Sequence, residues 1–203
     1  MEKEGTDCIK ENNMTCAFEV FDSLINMDDS PQGSIFHNLT GYDMYFNYLK
    51  TKGDNSDDIM GNFIQSSATR KAIHVGNNSF HALAGENKVE EHLKLDVMAS
   101  VSEWVAELID NYRVCIYNGQ LDVIVAYPLT LNYLQHLKFK DSALYATASR
   151  HIWRVENEIA GYVKEAGNLI EVLVRNAGHM VPADQPKWAF DLITRLTDNK
   201  GFA

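Results

Sequence analysis

Two stretches in the second half of the chain share one arrangement, and together they limit the folds open to it. Tyr112–Tyr117 is an apolar run with Val114 and Ile116 on one face. It leads into the polar loop Asn118-Gly119-Gln120-Leu121-Asp122, and then into a helical pattern over Val123–Leu137 whose first turn is marked by Pro128. The second apolar run (Leu169, Ile170, Val172, Leu173, Val174) lies in a strand expected over Asn168–Arg175, introduced by Gly167. The loop Asn176–Pro186 and an amphipathic segment (Trp188, Ala189, Leu192, Ile193, Leu196) follow, predicting a final helix to about Thr197. Short apolar runs between turn signals read as buried strands. Strand–loop–helix units in this order build a mostly parallel α/β sheet, with its chemistry in loops outside the carboxyl ends of the strands. Asp122 and His179 occupy those two loops.

The first hundred residues read differently. Residues 1–12 form a charged, mobile lead-in, and apolar spacing predicts a helix over Thr15–Met27, ended by Asp28–Gly33. Gly33–Lys52 is rich in aromatics (Phe36, Tyr42, Tyr45, Phe46, Tyr48) without a clear period. It reads as packed irregular structure with a short hairpin and a helical turn. After a solvated break at Gly53–Asp58, two short helices are expected, Asp58–Gln65 and Ala68–Val75, with Ser66 and Ser67 as cap candidates. Gly76–Ser79 is a turn, and 86–98 is charged and mixed. Ser100-Val101-Ser102-Glu103 matches a capping box ahead of an apolar stripe, Val101, Trp104, Val105, Leu108 and Ile109. Further helical residues are expected around Ser149–Glu158 and then Gly161–Lys164. Only two or three strands result, too few for a complete doubly wound sheet, so the chain reads as a piece of a larger fold.

Charge excludes one class of partner. At 203 residues the formal net charge is −10 and the pI about 5.1, whereas nucleic acid binding needs clustered Lys and Arg. No apolar run of about 20 residues predicts a membrane span, and Met1–Thr15 lacks the apolar core of a signal peptide. Glycosylation sequons begin at Asn13, Asn38 and Asn77, which leans toward secretion and toward a true start upstream. Cys8 and Cys16 lie close together in a polar stretch, free to pair with each other or elsewhere; Cys115 reads as a buried core thiol.

Asp122 has two readings. A carboxylate beyond a buried strand can orient a histidine by accepting its Nδ1–H bond, and an Asp in that place also caps helices. His179 has the titration range of a general base, with Gly178 beside it to let the backbone turn tightly, or it is an ordinary loop histidine. The other histidines (37, 74, 81, 92, 136, 151) lack metal-ligand spacing and read as structural or surface residues. Acid before histidine, each after a strand, fits the α/β-hydrolase order of nucleophile, acid, histidine. No G-x-S-x-G elbow occurs in these residues, and no serine upstream of Asp122 sits on a convincing strand–turn–helix corner.

Tyr117-Asn118-Gly119-Gln120-Leu121-Asp122 and Gly178-His179-Met180-Val181-Pro182-Ala183-Asp184-Gln185-Pro186 resemble the acid and histidine motifs of the serine carboxypeptidases, peptidase family S10. Lys71-Ala72-Ile73-His74-Val75-Gly76-Asn77, Glu158-Ile159-Ala160-Gly161-Tyr162 and Lys200-Gly201-Phe202 resemble its vitellogenic and vitellogenic-like branch. The resemblance implies the carboxyl-terminal part of an α/β-hydrolase fold, with residues 1–97 in a helical insertion, or cap, and 98–203 in the closing half of the core. It implies that Asp122 orients His179 and that Met180 lines the pocket of the departing residue. It also implies a peptide substrate, no metal or cofactor, and work outside the cell or in lysosomal or endosomal compartments. The family's nucleophilic serine and oxyanion-hole glycines have no match here. The chain alone is therefore expected to be inactive, its partner being the half or separate chain that carries the serine; a homodimer is a further assembly to test. The alternative is a truncated, non-catalytic homologue that binds a partner. A lipase or esterase is a weaker third reading.

Overall fold

The computed structural model describes residues 1–25, 33–52, 56–78 and 88–202, which group into two units. One comprises Met1–Asp43 and Thr51–Ala99, the other Met44–Lys50 and Ser100–Ala203. The end of the helix expected to Met27, the turn expected at Asp28–Gln32, the first half of the break expected at Gly53–Asp58, Ser79 of the third sequon and His81 lie outside the described residues; the second half of that break is helical.

The first unit is helical. Residues 1–12 are not the expected lead-in: Glu2–Lys10 is a helix, α1. Glu2 and Glu4 at its start and Lys10 at its end complement the helix dipole, and Lys3 pairs with Asp7 one turn on. A disulfide from Cys8 to Cys16 joins α1 to α2 (Met14–Ile25), settling the pairing that spacing left open. Asn13 Oδ1 accepts the Cys16 N–H at 3.1 Å, satisfying one free donor at the start of α2. The buried apolar residues here are Cys8, Ala17, Phe18 and Ile25. Helix α3 (Ile35–Thr40) is capped by Ser34, which accepts the His37 N–H, and ends on Gly41 at φ 70°. It is the helical turn expected in the aromatic stretch; no hairpin accompanies it. Then come α4 (Ser56–Gln65), α5 (Ser67–Ala72) and α6 (Lys88–Val97). Of the two cap candidates, Ser66 caps α5 by accepting the Thr69 N–H. No strand occurs in this unit among its described residues.

The second unit holds the sheet. Helix α7 (Ser102–Asn111) starts later than the capping box requires: its N-cap falls at Val101, and Ser100 Oγ accepts only the Ser102 N–H. After α7 come β1 (Val114–Gly119), α8 (Tyr127–His136, with Pro128 in its first turn) and α9 (Ser142–Thr147). They are followed by β2 (Arg150–Val155), β3 (Glu158–Ala166), β4 (Leu169–Val174), α10 (Val181–Asp184) and α11 (Pro186–Thr197). The strand order is β1-β4-β3-β2. Only β1 and β4 are parallel; β4–β3 and β3–β2 are antiparallel hairpins, so the sheet is mixed rather than mostly parallel. The helix expected around Ser149–Glu158 is β2, and Gly161–Lys164 lies within β3. In β2 only Trp153 and Val155 are buried, the period of two proper to a strand with one face inward.

Every residue of β4 is buried, as in a central strand covered on both faces. On one side Trp153, Val163, Ile170, Val172 and Val174 pack with Val181, Trp188 and Leu192 of the last two helices. On the other, Leu169 and Ala166 pack with Ile109, Leu134 and Tyr145 of α7, α8 and α9. The α7 stripe is only half used: Ile109 is buried, but Trp104 is 73% exposed. Among the described residues no helix is long and apolar enough to cross a membrane.

Candidate active site

The parallel pairing of β1 with β4 brings the two polar loops side by side. The Gln120 N–H donates to Val174 O and the Leu121 N–H to Ala177 O, at 2.9 and 2.7 Å, so the loop after β1 is laced to the exit of β4. Glycine is required at 119 because a Cβ there would collide with the carbonyl oxygens of Gly178 and Ala177. Asp122 follows and is 8% exposed. Its Oδ1 accepts the Val125 N–H at 3.0 Å, while Asn118 Nδ2 donates to Val125 O at 3.0 Å. The cap of α8 falls at Ala126, so Asp122 is not that helix's N-cap.

Its second oxygen, Oδ2, lies 3.0 Å from His179 Nδ1. The His179 ring is stacked on Phe46, with centroids 5.1 Å apart and planes 20° from parallel. The His179 N–H donates to Phe46 O at 2.7 Å. Gly178 is a second place with no room for a side chain, since a Cβ would strike Phe46 O and Asn47. Asp184, in α10, accepts from the Gly178 N–H (2.8 Å), Asn47 Nδ2 (3.0 Å) and Lys50 Nζ (3.0 Å). Burial pushes its carboxyl up, but these three hydrogen bonds and the Lys50 charge outweigh it and hold the pKa below the usual carboxylate value.

Asp122 and His179, far apart in sequence, therefore meet as expected. Met180 is next to the histidine with its side chain 55% exposed, and its carbonyl accepts the Ala183 and Asp184 N–H groups that open α10. Asn13, Asn38 and Asn77 are all exposed, in the first unit. Burial pushes the Cys115 thiol up to about 12, Glu165 adding to the rise and Arg113 opposing it, so it stays protonated at ordinary pH. His37 is exposed beside Asp43, and His136 bonds its own helix through Asn132 O. Among the described residues no group of His, Cys, Asp and Glu forms a metal-binding set. Sequence reasoning assigned no role to Phe46, Asn47, Lys50 or Asp184. The available signal was a dense aromatic stretch without period, which marks backbone packed by tertiary contacts.

Helices on both faces of the sheet, with a histidine–carboxylate pair at the carboxyl ends of adjacent strands, define an α/β-hydrolase architecture. The crystal structure of Kex1(delta)p, a prohormone-processing carboxypeptidase from Saccharomyces cerevisiae, shares this fold: TM-score 0.58, 23% identity, over 76% of this chain and 36% of that one. The serine carboxypeptidase family matches residues 4–199, and the chain belongs to that family. It is 54% identical to a venom serine carboxypeptidase of Apis mellifera, over 99% of this chain and 43% of that protein. It is 46% identical to a vitellogenic carboxypeptidase of Aedes aegypti, over 94% of this chain and 40% of that protein. Against a probable serine carboxypeptidase, CPVL, of Homo sapiens the identity is 37%, over 99% of this chain and 43% of that protein. The chain thus spans less than half the length of these relatives.

Proposed function

We propose that Asp122 and His179 are the acid and base of a serine carboxypeptidase that removes carboxyl-terminal residues from peptides. The nucleophilic serine in this reading comes from residues outside these 203. The observation that carries it is the 3.0 Å contact between His179 Nδ1 and the buried Asp122, whose other oxygen is already held by Val125. A carboxylate fixed in this way selects the tautomer with the proton on Nδ1 and stabilises the imidazolium that forms during turnover. Nε2 is then the nitrogen that takes the serine proton as the hydroxyl attacks the last peptide carbonyl. The same nitrogen returns that proton to the departing amine, and a water repeats the cycle on the acyl-enzyme. Met180 lines the site of the departing residue. Residues 1–97, apart from the Met44–Lys50 segment that packs in the second unit, belong to a helical cap, and 98–203 to the closing half of the hydrolase core. Asn13, Asn38 and Asn77 carry glycans in a protein of the secretory or lysosomal route.

The test is hydrolysis of an N-blocked dipeptide by the native protein that contains this chain. We expect His179→Ala and Asp122→Asn each to lower kcat by on the order of 10⁴, and a fluorophosphonate to label one serine outside these residues. A native protein that binds peptides without cleaving them would replace this reading with the non-catalytic one. Full activity of the 203-residue chain alone would overturn the placement of the nucleophile.

A further inference from the structure

We propose that Met44–Lys50 is a positioning strap for the base: Phe46 and Asn47 set the orientation of His179, and Asp184 holds them there. The proposal rests on the reading of His179 as general base. A hydrogen bond from Nδ1 to Asp122 fixes one edge of an imidazole, but the ring can still tilt about that bond. The stacked Phe46 ring, 20° from parallel, removes the tilt, and the bond from the His179 N–H to Phe46 O fixes the backbone that carries the ring. The same strap grips the acid loop. Tyr45 O accepts the Val123 and Ile124 N–H groups at 3.2 and 3.3 Å, and the Tyr48 N–H donates to Leu121 O at 3.0 Å. One segment therefore sets the spacing of both loops.

Its anchor is equally specific. Asn47 is 6% exposed. Its Oδ1 accepts the Leu49 N–H, so the amide nitrogen faces Asp184. Asp184 also takes the Gly178 N–H, so one carboxylate binds the strap and the histidine loop together. Catalysis by an oriented base is steep in geometry: a displacement of about 1 Å costs up to roughly a hundredfold in rate. A strap that fixes ring tilt acts on kcat and leaves ground-state substrate binding nearly untouched.

The experiment follows the His179 Nδ1–H proton by NMR in the native protein labelled with [¹⁵N]histidine, alongside kcat, KM and thermal unfolding. Phe46→Leu keeps bulk and loses the stack; Asn47→Ala releases the strap from Asp184; Phe46→Tyr keeps a ring on the imidazole. We expect Phe46→Leu and Asn47→Ala to speed solvent exchange of that proton and lower kcat by about tenfold or more with KM little changed. Phe46→Tyr should return both toward the wild-type values. Should Phe46→Leu fail to fold, Asn47→Ala and Phe46→Tyr carry the comparison. Lower thermal stability with unchanged exchange and unchanged kcat would make the strap mere packing and overturn the proposal. A native protein that shows the signal yet cleaves no peptide would sink the catalytic reading, while proton exchange alone would still decide whether the strap orients the ring.

Discussion

The two units hold together by different means. In the second, a fully buried central strand carries cores on both faces, assembled from residues distant in sequence. It even buries a polar side chain: Glu171, 1% exposed, accepts from the hydroxyls of Tyr127 and Tyr145 and lies 3.1 Å from Arg150. Among its described residues the first unit buries Cys8, Ala17, Phe18 and Ile25, sets Lys94 over the Phe18 ring, and adds local devices: a disulfide between adjacent helices and serine caps on α3 and α5. Long-range burial tolerates a costly polar site because the surrounding core supports it. Local devices contribute increments of a few kcal/mol at most, each fixed by near neighbours in the chain.

The largest effect should come from the buried carboxylate. Glu171→Ala leaves the Tyr127 and Tyr145 hydroxyls without their carboxylate acceptor and opens a cavity at a fully buried position, and should destabilise the second unit by about 3–5 kcal/mol. Urea unfolding followed by tryptophan fluorescence reads this directly, since Trp104, Trp153 and Trp188 all lie in that unit. A loss under about 1 kcal/mol would show that the site is not the keystone the burial implies.

A smaller loss is expected from the first unit's cross-link. Paired Cys8→Ser and Cys16→Ser changes open a loop closed over a sequence separation of 8, for which chain entropy gives about 2–3 kcal/mol. Far-UV circular dichroism during denaturant unfolding checks it. An unchanged midpoint would mean that the helices hold by packing alone and would erase the contrast between the units.

The smallest effect concerns Asp184, and it depends on pH. Its folded pKa lies below the unfolded value of about 3.9. Its stabilising contribution is therefore complete above about pH 4 and is lost as the pH falls through the lower folded value. The stability difference between the wild type and Asp184→Asn should be constant from neutral pH to about pH 4.5 and shrink at more acidic pH. A difference that instead grows on acidification would mean that the carboxylate is not the pin of the strap.

Legibility in the sequence tracked the range of the interactions. α2, α4, α5 and α11 could be read because an amphipathic period or a cap is written within a few neighbouring residues. α1 was missed: its polar surface hides a helix whose buried contact is one half-cystine. The charged run of β2 reads as helix in the sequence, and only the folded strand shows Trp153 and Val155 buried together on one face. Spacing places Trp104 on an apolar stripe, yet spacing defines a face without saying whether anything covers it, and Trp104 lies exposed.

What the sequence by itself determined is the chemistry of two loops. Each has a strand before it, a helix after it and a residue suited to acid–base work between, Asp122 in one and His179 in the other, and their motifs resemble those of a single family. That much is local in the chain and survives without coordinates. The tertiary structure decided how the pair is held. β1 lies parallel to β4 in a register that sets Gly119 against Val174, the Gly119 and Gly178 backbones touch where no Cβ fits, and Phe46 comes from more than a hundred residues upstream to lie on the imidazole. Sheet register and ring stacking depend on which distant surfaces meet, and no periodicity within a segment encodes that meeting.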